Sequence, residues 1–206
     1  MIGTQAIKLS AENFIERDFP FVLWLVPSNE IRQQTLKVLR NPNNFYSQVL
    51  YRNFQGKVNI FDVGDFRRLR PQDLTQYLNI CVATFQSFKV EDREGRKVYQ
   101  ADEELGACFT KIPCQDYFIL DEKKRYESFS NLISYVRPLM IVDEAHNYST
   151  DLSFDVTKIL RPSATYTLFF KAVVRTRSIP FKLEASNSFL SDSNSDYFLE
   201  SIKKNG

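Results

Sequence analysis

Short apolar runs alternate with segments of helical periodicity, and this alternation limits the possible fold more than any other feature of the chain. The run Phe21–Val26 is continuously apolar, as expected for a strand whose two faces are both covered by helices. Further strands are predicted over 58–63, 79–84, 139–142 and 166–174. Strands that alternate with helices favour a three-layer α/β domain with a mostly parallel, doubly wound sheet.

Helices are predicted between these strands from the spacing of apolar residues. The first predicted helix has one apolar face, made of Ile7, Ala11, Phe14 and Ile15. The second begins at Ser28, a predicted N-cap, and its predicted buried face consists of Ile31, Thr35, Val38 and Leu39. Three more helices are predicted over 71–78, 126–135 and 152–160.

The composition indicates one folded domain. A chain of 206 residues with 43% hydrophobic and 14% aromatic residues is long and apolar enough to build a core. The formal net charge of +2 neither requires nor excludes a nucleic-acid partner, because a local basic groove can exist within a balanced total. We expect the domain to span residues 1–185, with a charged excursion over 90–130 and a Ser- and Asn-rich tail over 186–206.

The cysteines and the apolar runs indicate the compartment. The longest apolar run is far too short to cross a membrane, so no membrane partner is expected. The three cysteines have no framework spacing and no signal peptide is visible, which favours a cytoplasmic protein. Cys108 and Cys114 are interpreted as structural thiols rather than metal ligands, because no second pair accompanies them.

The acidic sequence Asp143-Glu144-Ala145-His146 directly follows the predicted strand 139–142. Many nucleotide hydrolases present a metal-binding acid and a water-orienting acid at the end of an apolar strand. In that interpretation Asp143 binds Mg²⁺ through water and Glu144 lies beside the attacking water. His146 is the only histidine of the chain and falls within this motif. The alternative interpretation is an ordinary strand that ends in an acidic turn.

Three loops are predicted to meet at one edge of the sheet, because ligands of open parallel sheets bind at the carboxyl ends of the strands. These loops are 27–29 after the first strand, 84–87 after the third, and the loop that begins at Asp143. Their hydroxyls, amides and helix N-termini suit phosphate oxygens. Each of the first two loops alone is better explained as an ordinary helix cap. A site is favoured because the two loops come in this order along the chain before residues 143–146.

Taken together, these segments resemble the first RecA-like motor domain of superfamily-2 DEAD/DEAH-type helicases, and most closely the restriction (Res) subunit of type III restriction enzymes. Residues 22–36 are similar to the family's motif Ia, and 80–88 to the strand and turn before its next DNA-contacting motif. Residues 137–147 match its motif II almost letter for letter, and 160–163 resemble the run before motif III. The likeness spans residues 1–168.

The resemblance implies ATP and Mg²⁺ as cofactors and DNA as a partner. Asp143 would coordinate the Mg²⁺ on the β- and γ-phosphates, and Glu144 would orient or activate water. His146 would couple the nucleotide site to a second motor domain or to motif III. The implied contacts with the DNA backbone are Pro27, Ser28, Asn29, Thr84 and Gln86. Such contacts are largely independent of DNA sequence and sensitive to salt.

The sequence also departs from the family. It contains no Gly-x-x-x-x-Gly-Lys-Ser/Thr phosphate loop, and the residues after Thr167 do not follow motif III. The resemblance therefore predicts a P-loop NTPase domain, RecA-like, that lacks its first strand and its phosphate loop. We expect such a truncated domain to be inactive alone and to depend on the missing remainder of a helicase or restriction subunit, or on a modification subunit.

Two other functions stay open. One is a non-catalytic remnant that holds DNA or a partner protein, in which case Glu144→Gln would leave the affinity for DNA unchanged. The other is an unrelated metal-dependent hydrolase in which Asp143, Glu144 and His146 are the metal ligands. With a single histidine in the chain, that site would need further acidic ligands, of which the candidates are Asp62, Asp65 and Asp116.

Overall fold

A computed structural model describes residues 2–12, 18–88, 97–110, 127–143, 166–169 and 184–185. The strands in these ranges are β1 (Phe21–Val26), β2 (Val58–Asp62), β3 (Leu78–Thr84), β4 (Leu139–Val142), β5 (Tyr166–Phe169) and β6 (Glu184–Ala185). The helices are α1 (Ile2–Ser10), α2 (Asn29–Arg40), α3 (Phe45–Asn53), α4 (Asp73–Gln76), α5 (Gly106–Phe109) and α6 (Phe129–Val136). Within this part of the chain, no helix has the length and apolar character that crossing a bilayer requires.

The strands form one sheet in the order β2-β3-β1-β4-β5-β6. Every pairing from β2 to β5 is parallel, and β5 and β6 pair antiparallel. Alternate residues of β1 enter two separate cores: Leu23 lies in one, and Val22 and Val26 lie in the other. The two covered faces confirm the predicted α/β class. The parallel pairings confirm the mostly parallel sheet predicted from the apolar runs.

The two faces are covered by different parts of the chain. Helices α1, α2 and α3 pack on the face that contains Val22. The opposite face is covered by the 3₁₀ turn Val63–Arg68, by residues within 97–110 and by α6. The predicted helix 152–160, strand residues 170–174 and tail 186–206 lie outside the described residues, as do Phe14 and Ile15 of the first predicted helix.

The first long helix begins where its sequence predicted. Ser28 has an extended backbone, and its hydroxyl oxygen accepts a hydrogen bond from the Ile31 N–H at 3.3 Å. The predicted buried face of this helix was partly wrong, because Val38 is 36% exposed whereas Leu36 and Leu39 are buried. Leu36 and Leu39 are three residues apart and lie on one face of the helix, which turns Val38 toward solvent.

Helix α3 was missed at the sequence level. It begins after Asn44, whose side-chain oxygen accepts a hydrogen bond from the Tyr46 N–H at 3.0 Å. The helix buries Ser47 and Leu50, but it exposes Phe45, which is 58% accessible, and Tyr51. Because the aromatic residues of this short segment are exposed while Ser47 is buried, its helical periodicity is weak in the sequence.

The charged excursion expected over 90–130 is not confined to the surface, because residues 97–110 contribute to the core. Four residues of this stretch lie in the core, namely Val98, Leu105, Cys108 and Phe109. Between them, Asp102 caps a 3₁₀ turn by accepting a hydrogen bond from the Glu104 N–H, and it forms an ion pair with Arg67. These buried residues are widely spaced among charged residues and show no regular periodicity. The sequence therefore did not predict that this stretch packs on the sheet.

Two buried cysteines behave as structural thiols. Cys81 is fully buried in β3 and Cys108 is 2% exposed in α5. Burial raises the pKa of the Cys108 thiol to about 11 and raises the pKa of Cys81 well above its usual value. Both thiols are therefore protonated at neutral pH and are poor nucleophiles and poor metal ligands.

A buried amide network fixes the turn between α4 and β3. The Asn79 side chain is 1% exposed, and its Nδ2 donates to the carbonyl oxygens of Asp73 at 2.6 Å and Tyr77 at 2.9 Å. Its Oδ1 accepts from Asn59 Nδ2 at 3.0 Å. One side chain thus satisfies two carbonyl groups and one neighbouring amide.

We expect Asn79→Ala to lower the free energy of unfolding by about 1–3 kcal/mol, because it removes three hydrogen bonds made by one buried side chain. Urea denaturation followed by circular dichroism measures this change. The matched control is Asn59→Ala, which removes a single hydrogen bond at a half-buried position and should cost about 1 kcal/mol or less. Equal losses for the two variants would contradict the network.

Candidate functional site at the carboxyl edge of the sheet

Three neighbouring strands end together at one edge of the sheet. Val26 of β1 lies opposite Thr84 of β3 in the parallel register, and Leu25 lies opposite Val142 of β4. The Asp143 N–H donates to the Leu25 carbonyl oxygen at 2.9 Å, which continues this register by one residue. Thr84 and Asp143 thus flank β1 at the same level, about 10 Å apart as two strand spacings. The prediction that the three loops meet at one edge is confirmed.

The chain leaves β1 and β3 toward opposite faces of the sheet. After β1 it enters α2, whose Leu36 and Leu39 pack on one face. After β3 it enters the 3₁₀ turn Phe85–Phe88, and both of these phenylalanines pack on the other face. In open α/β sheets, such a divergence between adjacent parallel strands marks the place at their carboxyl ends where a ligand crevice is expected. Ser28 and Gln86 stand on its two sides.

Ser28 is engaged in local contacts at the start of α2. Its hydroxyl accepts from the Ile31 N–H and also hydrogen-bonds to the Glu30 carboxylate. Hydrogen bonds from the Glu30 backbone and from Ser28 hold the pKa of Glu30 below its usual value. Asn29 is exposed beside them, and Pro27 is half-buried. The first turn of α2 therefore offers backbone N–H groups to an anion, but it also carries the negative charge of Glu30.

Thr84 and Gln86 differ in their access to the crevice. Thr84 is 5% exposed, and its hydroxyl shares a hydrogen bond of 3.2 Å with Ser87. Gln86 is exposed one turn further along. A ligand at this edge would meet the Gln86 amide first, whereas Thr84 is better placed to hold the turn that presents it.

Asp143 is the first residue after β4 and is half-buried at the edge. Its carboxylate is the chemical group that a Mg²⁺ ion prefers, and Mg²⁺ in nucleotide sites usually keeps several waters and takes only one or two protein carboxylates. The described residues contain no group of three or more His, Cys, Asp or Glu side chains that could enclose a metal. Glu144 and His146 lie outside the described residues.

A partly buried ion pair at the same edge was not recognised in the sequence as part of this region. Arg32 of α2 donates through Nη1 to Asp62 Oδ1 at 2.9 Å, and the two side chains are only 20% and 17% exposed. Asp62 Oδ1 also accepts from the Gly64 N–H at 2.9 Å. The pair joins the first turns of α2 to the end of β2. The signal that could have revealed it is the position of Asp62 at the carboxyl end of a predicted strand.

The alternative in which Asp62 serves as a metal ligand gains no support from this geometry. The carboxylate of Asp62 is already engaged by Arg32 and by the Gly64 N–H. Asp65, the second candidate, lies within 3.8 Å of both Arg40 and Arg68. The third candidate, Asp116, lies outside the described residues.

Two comparisons of the sequence gave no match. No protein-family model matches the sequence, and no curated protein matches it at a significant level of similarity. The function is therefore inferred from the residues and from the geometry of the carboxyl edge.

Proposed function

We propose that this chain is a motor-type nucleotide-binding domain of a DNA-dependent ATPase, similar to the helicase domain of a type III restriction subunit. The observation that supports this most strongly is the position of Asp143. It follows a buried parallel strand, lies beside the crevice between β1 and β3, and begins the sequence Asp143-Glu144-Ala145-His146.

In this function each residue has a distinct role. Asp143 would hold Mg²⁺ through water, and Mg²⁺ would neutralise the charge on the β- and γ-phosphates of ATP. Glu144 would orient the attacking water, and His146 would transmit the state of the nucleotide site. Gln86, Asn29 and the N–H groups at the start of α2 would contact the DNA backbone, with Ser28 and Thr84 supporting the two turns. ATP hydrolysis would need a phosphate-binding loop supplied by another polypeptide segment.

The nucleotide site is tested by binding of a fluorescent ATP analogue with Mg²⁺ and with EDTA. We expect Mg²⁺ to strengthen binding and Asp143→Asn to remove that gain, which corresponds to a loss of about tenfold or more for one charged contact. Glu144→Gln should bind the analogue as the unchanged protein does and should abolish any DNA-stimulated hydrolysis. An affinity for the analogue that changes neither with Mg²⁺ nor with Asp143→Asn would contradict the proposal.

A second candidate function is a non-catalytic domain that binds DNA or a partner protein. It is favoured by the lack of a Gly-x-x-x-x-Gly-Lys-Ser/Thr run in the sequence. DNA affinity, measured by fluorescence anisotropy as a function of salt, separates the two functions. In the motor-type domain the affinity for DNA depends on nucleotide and on Glu144, whereas in the binding domain it changes with Gln86 and Asn29 alone.

A further inference from the structure

The 3₁₀ turn Phe85–Phe88 at the end of β3 is held by several contacts and exposes one side chain. Its two phenylalanines are 4% and 0% exposed and lie in the same core. At the start of the turn, the hydroxyls of Thr84 and Ser87 share a hydrogen bond of 3.2 Å. Gln86 is the exposed residue between the two phenylalanines. The position of the Gln86 amide therefore depends on what holds the backbone of this turn.

The end of the turn is held by Tyr99, a residue of the charged stretch that packs on the sheet. The Tyr99 hydroxyl donates a hydrogen bond to the Phe88 carbonyl oxygen at 3.1 Å, across 11 residues of sequence. The last carbonyl groups of a helical turn have no partner within the turn, so Tyr99 satisfies one of them from outside. The Tyr99 side chain is half-buried and packs against the core that contains both phenylalanines.

The segment 97–102 is itself fixed three residues beyond Tyr99. Asp102 is 7% exposed, and its N–H donates to the Glu127 carbonyl oxygen at 3.0 Å. Its carboxylate pairs with Arg67, which belongs to the 3₁₀ turn after β2. This segment therefore contacts the turns that follow β2 and β3, and it connects them at the carboxyl edge of the sheet.

A fixed turn favours binding by Gln86. A side chain whose backbone is already held loses less conformational freedom on binding than one on a loose turn. The Gln86 amide carries two N–H donors and a carbonyl acceptor. Phosphate oxygens of a nucleic-acid backbone accept hydrogen bonds from such amides. The contacts that hold the turn in the free protein should therefore strengthen this contact with DNA.

We propose that Tyr99 is a positioning residue for the nucleic-acid site, because its hydroxyl fixes the turn that presents Gln86 to a phosphate of the DNA backbone. Tyr99 acts through Gln86 and does not itself contact DNA. This inference rests on the proposed function, in which Gln86 contacts the DNA backbone.

The test is a double-mutant cycle with Tyr99→Phe and Gln86→Ala in the whole chain, and the probe is a short fluorescein-labelled DNA duplex followed by anisotropy. Tyr99→Phe keeps the ring and removes only the hydroxyl, so the chain should fold. We expect it to weaken binding about two- to tenfold, the range for one hydrogen bond. Gln86→Ala should weaken binding at least as much. In the Gln86→Ala background, Tyr99→Phe should have no further effect, whereas a merely structural role would give additive losses.

A second measurement needs no DNA. Nuclear magnetic resonance of the free protein reports the backbone amides of the turn, and we expect Tyr99→Phe to shift those of Gln86, Ser87 and Phe88 and to speed their hydrogen exchange. The matched control is Tyr51→Phe on α3, where the side chain is 39% exposed. This control should change neither the amides of the turn nor the affinity for the duplex.

The outcomes separate this inference from the proposed function. If Gln86→Ala weakens binding but Tyr99→Phe leaves the affinity unchanged, the inference is overturned and the proposed function stands. Additive losses in the cycle, or turn amides that do not respond to Tyr99→Phe, would overturn it in the same way. A chain that does not bind the duplex, or whose affinity does not depend on Gln86, would overturn the proposed DNA contact and this inference with it.

Discussion

Replacing Phe129 with alanine should lower the free energy of unfolding by about 3–5 kcal/mol, the cost of removing a large aromatic side chain from a packed core. Phe129 is fully buried at the start of α6, and its ring stacks on Phe66 with centroids 4.9 Å apart and planes 11° from parallel. This contact joins the turn after β2 to the helix before β4. The loss should therefore loosen one whole face of the sheet.

Urea denaturation followed by tryptophan fluorescence and circular dichroism measures the change. Tyr135→Ala is the control on the same helix, since Tyr135 is 38% exposed and its removal should cost well under 1 kcal/mol. If Phe129→Ala cost no more than Tyr135→Ala, α6 would not pack on the sheet as described.

Replacing Arg32 with methionine should lower the free energy of unfolding by about 2–4 kcal/mol, because it leaves the Asp62 carboxylate largely buried without its cation. Methionine keeps the apolar stem of the arginine, so most of the loss reflects charge rather than volume. The paired atoms lie 2.9 Å apart, and both side chains are about four-fifths buried. In this variant, the start of α2 should no longer be held to the end of β2.

The double variant Arg32→Met with Asp62→Asn should recover part of this loss, because the asparagine oxygen can still accept from the Gly64 N–H. The matched control is Arg68→Gln, whose pair with Asp65 is exposed and should contribute about 0.5 kcal/mol or less. A result in which Arg32→Met and Arg68→Gln cost the same would show that the Arg32 pair is solvated.

The strands were the most predictable part of the fold. Strands β1 and β4 have the predicted bounds, because a strand covered on both faces is continuously apolar. Strands β2 and β3 contain polar residues, and each differs from its predicted bounds by one residue. The position of Pro27, Thr84 and Asp143 at one edge of the sheet could also be predicted from these strands, since parallel strands end on the same side.

What the sequence did not reveal depends on single contacts between distant segments. The pair between Arg32 and Asp62 spans 30 residues and leaves no periodic pattern. The buried positions of Val98 and Leu105 follow from their packing under charged neighbours. The engagement of Thr84 by Ser87 is a local side-chain choice that residue types alone do not decide. Site chemistry of this kind becomes visible only in three dimensions.

The central position of β1 has a consequence for biosynthesis. Its partner on one side, β4, begins 117 residues later along the chain, because Val22 pairs with Leu139. At a translation rate of about 5–20 residues per second, β1 waits roughly 6–23 s for that partner. During this time the sequence Phe21-Val22-Leu23-Trp24-Leu25-Val26 is a charge-free, β-prone segment of the kind that aggregates. Yield in the cell should therefore depend on chaperones that bind the nascent chain before β4 is made.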